Sequence, residues 1–229
     1  MQFPSSSWTL ITGAADREAP RFRESWERLA RLYWNPVYAC IRARTGRAPE
    51  EARDLTQEFF LELFEKDTLA RFDASRARFR TFVKAVLDNF LSNELRARKA
   101  AKRGGGRAPL SLDADPALEE RIAAAGGSPP GALLDAEWTR ATLSRSLAAV
   151  ESSLSKEGRP ERYAAYRRCV LEAAPQREAS ASLGLTEAQV TNFIGEVRRR
   201  LREVLLAELM ETVTCREEAE AELKELFGI

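Results

Sequence analysis

The sequence of 229 residues contains no histidine, only three cysteines and no apolar run of the length that a membrane-spanning helix needs. Without histidine, serine-hydrolase triads and most zinc sites lose the residue that usually acts as base or ligand. Cys40, Cys169 and Cys215 form no CxxC pair, which is typical of buried thiols in a reducing compartment. We therefore expect a cytoplasmic protein with no membrane insertion, no metal and no cofactor, and not an enzyme.

Helix-forming residues are abundant. Ala, Leu, Arg and Glu dominate, and no segment alternates apolar and polar residues as a strand does, which predicts an all-α fold. Glycine and proline concentrate between two helical stretches, which predicts two small helical domains joined by a flexible linker. Asn35-Pro36 predicts a break or kink in the first long helix. The predicted order is an N-terminal extension (1–20), a helical domain (21–103), the linker (104–135), a second helical domain (136–207) and an acidic amphipathic tail (208–229).

The formal net charge of +1 is the sum of opposing blocks. Residues 81–107 carry a net charge of +5, whereas residues 113–137 and 208–229 each carry −5. A helix end of +5 has the charge of a phosphate-binding surface, and the alternative is a solvated helix end that complements its own dipole. The acidic tail either packs on the second domain or shields the arginines at 198–202.

The second helical domain contains a helix-turn-helix pattern. A short helix near 177–183 is followed by a Gly184 turn and a long helix that begins at Glu187. Thr186 is placed to cap this long helix, and Gln189 completes a capping box. The arginines of residues 198–202 lie further along it, where they either form a solvated face or meet backbone phosphate.

Four stretches, in this order, resemble the motifs of bacterial sigma factors. Residues 54–60 (DLTQEFF) resemble the DLxQExF motif that grips the polymerase clamp, and residues 72–82 resemble the stretch that follows it. Asp88-Asn89 with the basic run 96–103 resembles the reader of the minus-ten promoter element, and residues 178–201 resemble the region-four signature. The whole arrangement is similar to an extracytoplasmic-function sigma factor of the sigma-70 family, of the type common in planctomycetes and myxobacteria.

The resemblance implies an alternative RNA polymerase sigma factor. Such a factor directs promoter-specific transcription initiation, binds core RNA polymerase and promoter DNA, and has an anti-sigma protein or another regulator as a further partner. The alternative is a sigma-like DNA-binding adaptor or regulator that does not itself initiate transcription. A purely structural helical module explains the helices but not the order of the motifs.

The resemblance also implies three groups of binding residues. The implied core-polymerase-binding residues are Asp54, Gln57, Glu58 and Leu61. The implied minus-ten DNA-binding residues, whose amides suit base edges and whose cations suit phosphate, are Arg80, Asn89, Asn93, Arg96, Arg98 and Lys99. The implied minus-thirty-five DNA-binding residues are Thr186, Gln189, Thr191, Asn192, Glu196, Arg198, Arg199 and Arg200.

Three positions depart from the family pattern. Family members often have a basic residue where Asp88 stands, and this departure predicts weaker attraction for phosphate or a changed sequence preference. Gly195 costs about 1 kcal/mol relative to alanine inside a helix. Glu196 accepts a hydrogen bond from cytosine but repels phosphate. Gly195 and Glu196 together predict that the second domain binds duplex DNA weakly or with an unusual sequence preference.

Overall fold

The computed structural model describes residues 9–65, 68–74, 76–100, 116–125 and 130–229, with the backbone alone at residues 9, 97–100 and 130. The described residues form helices and helical turns and include no strand. The predicted all-α class is therefore confirmed. The described chain divides into two compact units, and the division after Arg140 lies close to the predicted start of the second domain at residue 136.

The first unit contains the described residues up to Arg140 together with Glu211–Arg216. Gly46, in a left-handed conformation with φ 60°, ends its longest helix, and Pro49 begins the next one. The helices of this unit are α1 (Thr9–Ala15), α2 (Phe22–Thr45), α3 (Pro49–Glu65), α4 (Phe79–Ala100), α5 (Pro116–Ala124) and the first part of α6 (Pro130–Lys156). A 3-10 turn at Thr68–Arg71 follows α3.

The sequence predicts a break or a kink at Asn35-Pro36. A break is wrong, because α2 is a single helix from Phe22 to Thr45 that contains Pro36. Proline removes one backbone hydrogen bond and crowds the preceding turn. Pro36 is buried, and so are Val37, Cys40 and Ile41 on the turn that follows. We infer that burial of this apolar surface offsets the local cost of the proline. Burial also raises the pKa of the Cys40 thiol to about 11.

Aromatic rings hold the three longest helices of the first unit together. Tyr33 of α2 meets Phe79 of α4 edge to face, with ring centroids 5.5 Å apart. Phe59 of α3 meets Phe90 of α4 in the same way at 5.5 Å. Such pairs add about 0.5–1.5 kcal/mol each beyond the area that they bury. The rings therefore fix which side of α4 faces inward.

Part of the predicted linker is packed helix in the described residues. Residues 104–115 and 126–129 lie outside the described part of the chain, whereas residues 116–125 and 130–140, called here the α5–α6 segment, belong to the first unit. Leu118, Leu134 and Trp138 of this segment are buried. Glu119 of α5 accepts a hydrogen bond from the Tyr38 hydroxyl of α2. The α5–α6 segment thus contributes both apolar and polar contacts to the first unit.

The second unit contains Ala141–Met210 and Glu217–Ile229. Gly184, with φ 65°, separates a short helix from the long helix that follows, and the predicted capping box is confirmed between Thr186 and Gln189. Its helices are the remainder of α6, α7 (Pro160–Tyr166), α8 (Gln176–Leu183), α9 (Glu187–Leu209) and nearly all of α10 (Arg216–Phe227). A π-helical turn at Arg167–Leu171 follows α7.

The tail predicted to be acidic and amphipathic (208–229) forms α10 in its last part, whereas its first two residues end α9 and Glu211–Arg216 belongs to the first unit. Ala219 and Leu223 are fully buried, and Glu222 is also buried. The spacing of these residues places them on one side of the helix, as an amphipathic helix requires. The apolar side of α10 is therefore buried, and Glu217–Ile229 belongs to the second unit, which favours packing of this part of the tail on its own domain.

Replacement of Trp138 by alanine tests whether the α5–α6 segment is an integral part of the first unit. The indole is only 3% exposed, so Trp138→Ala is expected to lower the free energy of unfolding by about 3–5 kcal/mol through lost burial and a residual cavity. Urea unfolding of the full chain, followed by circular dichroism, measures the change. The control is Arg140→Ala on the same helix, where 60% of the side chain is exposed. Equal effects of the two substitutions would contradict the assignment.

Candidate nucleic-acid interface

One side of α4 presents two amides and a cation to the surface. Asn89, Asn93 and Arg96 are exposed and are spaced four and three residues apart, which places them in one row along a helix. Amides form hydrogen bonds with base edges, and arginine binds either a base or a phosphate. This row, called here the α4 stripe, therefore has the chemistry that a single-stranded nucleic acid requires.

Arg80 lies on the opposite side of α4 from the α4 stripe. Its side chain is 8% exposed, and its Nε lies 2.9 Å from Oδ1 of Asp135. Its guanidinium carbon lies 5.1 Å from the ring centroid of Trp138. Lys84, one turn further along, brings its Nζ to 2.7 Å from the other carboxylate oxygen of Asp135. The structure therefore places Arg80 in an interior ion pair and does not bring it together with Asn89, Asn93 and Arg96.

The remaining two residues implied for minus-ten binding, Arg98 and Lys99, continue α4 in the backbone, but their side chains lie outside the described part of the structure. Asp88, which departs from the family pattern, forms an ion pair with Arg44 of α2. That cation offsets the negative charge of Asp88. The predicted repulsion of phosphate at this position is therefore reduced by a partner that the sequence spacing alone does not reveal.

The residues implied for polymerase binding share one side of α3. Asp54 and Gln57 are half-buried, whereas Glu58 and Leu61 are exposed, with Leu61 57% exposed. Partial desolvation of the Glu58 carboxylate by its neighbours on the protein surface raises its pKa, and the nearby carboxylates of Glu94 and Asp54 raise it further. A surface that combines crowded carboxylates with an exposed apolar side chain suits a partner that is cationic and partly apolar.

Several polar residues of α9 are engaged within the second unit. The Thr186 hydroxyl accepts a hydrogen bond from the Gln189 backbone at 3.2 Å, and the Gln189 side chain accepts one from the Thr186 backbone at 2.8 Å. Thr191 donates to the Glu187 carbonyl at 3.0 Å and accepts from Gln176 at 3.3 Å. These three residues of the implied minus-thirty-five group therefore stabilise the start of α9.

Glu196 and Arg200 take part in a network of ion pairs. Glu196 pairs with Arg162 of α7 and, at 3.0 Å, with Arg200. Arg200 also donates to Glu157 at 2.8 Å, and the Arg162 guanidinium lies over the Phe193 ring at 5.2 Å from its centroid. Two cations therefore offset the Glu196 carboxylate, which reduces the phosphate repulsion predicted from its sequence. Three exposed residues remain from the group implied for minus-thirty-five binding. They are Asn192, Arg198 and Arg199, and none of them takes part in a hydrogen bond or ion pair found among the described residues.

No group of three or more residues suitable for holding a metal ion occurs in the described part of the chain. Among the same residues, none of the helices combines the length and apolar character needed to cross a membrane.

Residues 29–101 match the family model of sigma-70 region 2. The region-2 match begins in α2 and extends past the end of α4, so it includes the α4 stripe and the side of α3 that the resemblance implies for polymerase binding. It supports a sigma-70 family sigma factor, a role in RNA polymerase binding and promoter melting, and promoter DNA as a partner. It covers none of the second unit. No curated protein and no solved structure matches the chain.

The pairing of Glu157 with Arg200 predicts a pH dependence of stability. The pKa of Glu157 falls from 4.5 to about 2, mainly because its carboxylate accepts hydrogen bonds from Arg200. A carboxylate with a lowered pKa stabilises the fold above its unfolded-state pKa, and this contribution disappears as the pH falls through the folded-state value. Glu157→Gln is therefore expected to lower the thermal midpoint at pH 7, by a margin that shrinks between about pH 4.5 and 2.

Thermal unfolding across that pH range measures this margin. Glu151→Gln serves as the control, because Glu151 is exposed on α6, which ends one residue before Glu157, and takes part in none of the ion pairs found among the described residues. A margin for Glu157→Gln that persists unchanged at pH 2, or an equal loss in the control, would contradict the role of the pair.

Proposed function

We propose that the protein is an alternative sigma factor of the extracytoplasmic-function type that directs promoter-specific transcription initiation. The observation that carries this proposal is the match of residues 29–101 to sigma-70 region 2, together with the exposure of the α3 and α4 surfaces inside that match. The protein acts in the cytoplasm as a non-enzymatic factor. Its two partners are core RNA polymerase and promoter DNA.

Core polymerase docks on α3 in this proposal. Glu58 and Leu61 form the exposed centre of the contact, and Asp54 and Gln57 flank it on the same side of the helix. The raised pKa of Glu58 supports this role, because a carboxylate crowded by Glu94 and Asp54 gains from contact with a cationic partner. An anti-sigma protein or another regulator stays a prediction from the resemblance.

The α4 stripe reads the minus-ten element in this proposal. Asn89 and Asn93 bind the edges of unstacked bases, while Arg96, with Arg98 and Lys99 beyond it, neutralises phosphate. Arg80 acts as a structural residue that fixes the orientation of α4, since its guanidinium is enclosed by Asp135 and Trp138. The proposed minus-ten DNA-binding residues are therefore those that the resemblance implied, without Arg80.

The second unit reads the minus-thirty-five element through a helix-turn-helix formed by α8, the Gly184 turn and α9. The exposed residues Asn192, Arg198 and Arg199 make the DNA contacts. Thr186, Gln189, Thr191, Glu196 and Arg200 hold the helix in place through the bonds described above.

A sigma-like adaptor that binds DNA without initiating transcription is the second candidate. Gly195, which weakens the middle of α9, favours it. Co-purification of the tagged full chain with core polymerase, followed by run-off transcription on selected promoters, separates the two. The sigma-factor proposal predicts a stable complex and a defined transcript. Failure to bind core polymerase overturns it, whereas DNA binding without a transcript favours the adaptor.

Neutralisation of Glu58 is expected to change stability and polymerase binding in opposite directions. Because its pKa is raised, the ionised carboxylate costs folding free energy once the pH exceeds the unfolded-state pKa. Glu58→Gln is therefore expected to keep or raise the thermal midpoint at pH 7. The same substitution is expected to weaken core polymerase binding about tenfold, the loss of roughly one charge-assisted contact.

The matched control is Glu27→Gln, which removes a carboxylate that is 57% exposed on α2 and pairs with Arg31 of the same helix. Polymerase binding by this control is expected to equal that of the wild-type chain. The proposed α3 contact would be wrong if Glu58→Gln bound polymerase as tightly as the control did.

A further inference from the structure

The connection between α9 and α10 does not belong to the unit of the helices that it joins. The second unit contains α9 and nearly all of α10, whereas Glu211–Arg216 between them belongs to the first unit. A connection between two helices of one domain usually crosses the surface of that domain. A stretch of chain that leaves one compact unit, joins the other and then returns requires an anchor. Glu211–Arg216 is called here the strap.

Burial anchors the first half of the strap. Thr212 is 7% exposed and Val213 is 4% exposed, whereas Thr214 and Cys215 next to them are exposed. Removal of the valine side chain from water favours the docked position of the strap. The strap is therefore held by a short apolar contact and not along its whole length.

A forked ion pair joins the strap to α2. Nε and Nη2 of Arg28 donate hydrogen bonds to the two carboxylate oxygens of Glu211, at 2.8 Å and 2.7 Å. Pairs of this bidentate geometry are directional and fix the orientation of both partners. The Arg28 side chain is 50% exposed and that of Glu211 is 28% exposed, so water and salt screen their attraction. The fork therefore determines where the strap docks but holds it only weakly.

The docked strap has the features of a segment that opens locally. Few buried side chains and solvent-exposed polar contacts are typical of the least stable parts of a folded protein. The strap combines two buried residues with one exposed fork. A binding event that requires the strap to leave α2 therefore opposes only a small part of the total stability.

The path of the chain gives the strap a mechanical role. The chain enters the strap from α9 and leaves it into α10, so a docked strap tethers both of these helices to the first unit through the backbone. In the proposed function, the two units bind separate promoter elements, and the DNA determines the distance between the two binding sites. A docked strap therefore restricts binding of both elements at the same time.

We propose that the strap is an autoinhibitory tether, docked on α2 through Arg28 and Glu211 in the free chain and released when polymerase-bound protein engages both promoter elements. The release step rests on the proposed function, whereas the docking rests on the fork and on the burial of Val213. This role differs from the shielding of the arginines at 198–202 that the acidic charge of the tail suggested, because the contact is with α2.

A thiol at a buried position of the strap reports whether the strap is docked. Val213→Cys is introduced together with Cys215→Ser, and the rate of alkylation by N-ethylmaleimide at position 213 is followed by peptide mass spectrometry. Alkylation is expected to be slow in the free chain and at least tenfold faster in the complex of holoenzyme with promoter DNA. Cys40, which is buried in α2, is expected to stay unreactive in both samples, which excludes global unfolding. Fast alkylation at position 213 in the free chain, or equally slow alkylation in the complex, overturns the inference.

Charge reversal separates an inhibitory fork from a merely structural one. Arg28→Glu and Glu211→Arg each remove the fork, and each is expected to raise the affinity of the holoenzyme for promoter DNA about fivefold by increasing the fraction of released strap. The double variant restores an ion pair of reversed polarity and is expected to return the affinity to the wild-type value. The control is Arg31→Glu, because Arg31 is 77% exposed and pairs with Glu27 within α2, and its affinity is expected to stay unchanged. Unchanged or lower affinity in both single variants overturns the inference.

The same measurements distinguish failure of the strap from failure of the sigma-factor proposal. If transcription is initiated while position 213 stays protected in the complex, the strap fails and the sigma-factor proposal stands. If no holoenzyme forms but duplex DNA bound by the full chain alone accelerates alkylation at position 213, the sigma-factor proposal fails and the strap stands. If the chain binds neither core polymerase nor DNA, the strap has no release step and is also overturned.

Discussion

The buried cation of Arg80 is the constraint on which the arrangement of the first unit depends. A charge at this depth is expensive unless a partner of opposite sign lies beside it. Asp135 supplies that partner at 2.9 Å, Lys84 shares the same carboxylate, and Trp138 covers the guanidinium. The first unit therefore extends beyond the three helices of the region-2 match to include the α5–α6 segment, because removal of that segment would take away both the carboxylate and the aromatic ring beside the Arg80 cation.

The same constraint determines what α4 offers to a partner. With Arg80 and Lys84 turned towards Asp135, helical geometry turns the α4 stripe outward. Elsewhere, Arg44 offsets Asp88, and Arg162 and Arg200 offset Glu196. The near-neutral total charge thus separates into cations that are paired with acids of the same unit and a smaller set of exposed cations, including Arg96, Arg198 and Arg199, which the proposed function assigns to nucleic acid.

Local features were predictable from the sequence, and distant partners were not. The capping box of Thr186 and Gln189 depends on residues three apart, and Pro49 begins its helix through its own fixed φ. The burial of Arg80 depends on Asp135, which is 55 positions away, and the pairing of Glu196 depends on Arg162 at a separation of 34. Helical periodicity identifies the side of a helix but carries no information about which carboxylate will face it. For the same reason the sequence alone does not show that α2 continues through Pro36, because that continuity depends on buried surroundings.

The proposed division of α4 into a buried side and a DNA-binding side is tested most directly by photo-crosslinking in the open complex. A photoreactive residue is placed at position 93 or at position 84 of the full chain, and each holoenzyme is bound to promoter DNA. Crosslinks to the single strand of the minus-ten element are expected from position 93 and not from position 84. Equal crosslinking from both positions, or crosslinking from position 84 alone, would contradict the arrangement in which Asp135 holds Arg80 and Lys84 away from the DNA.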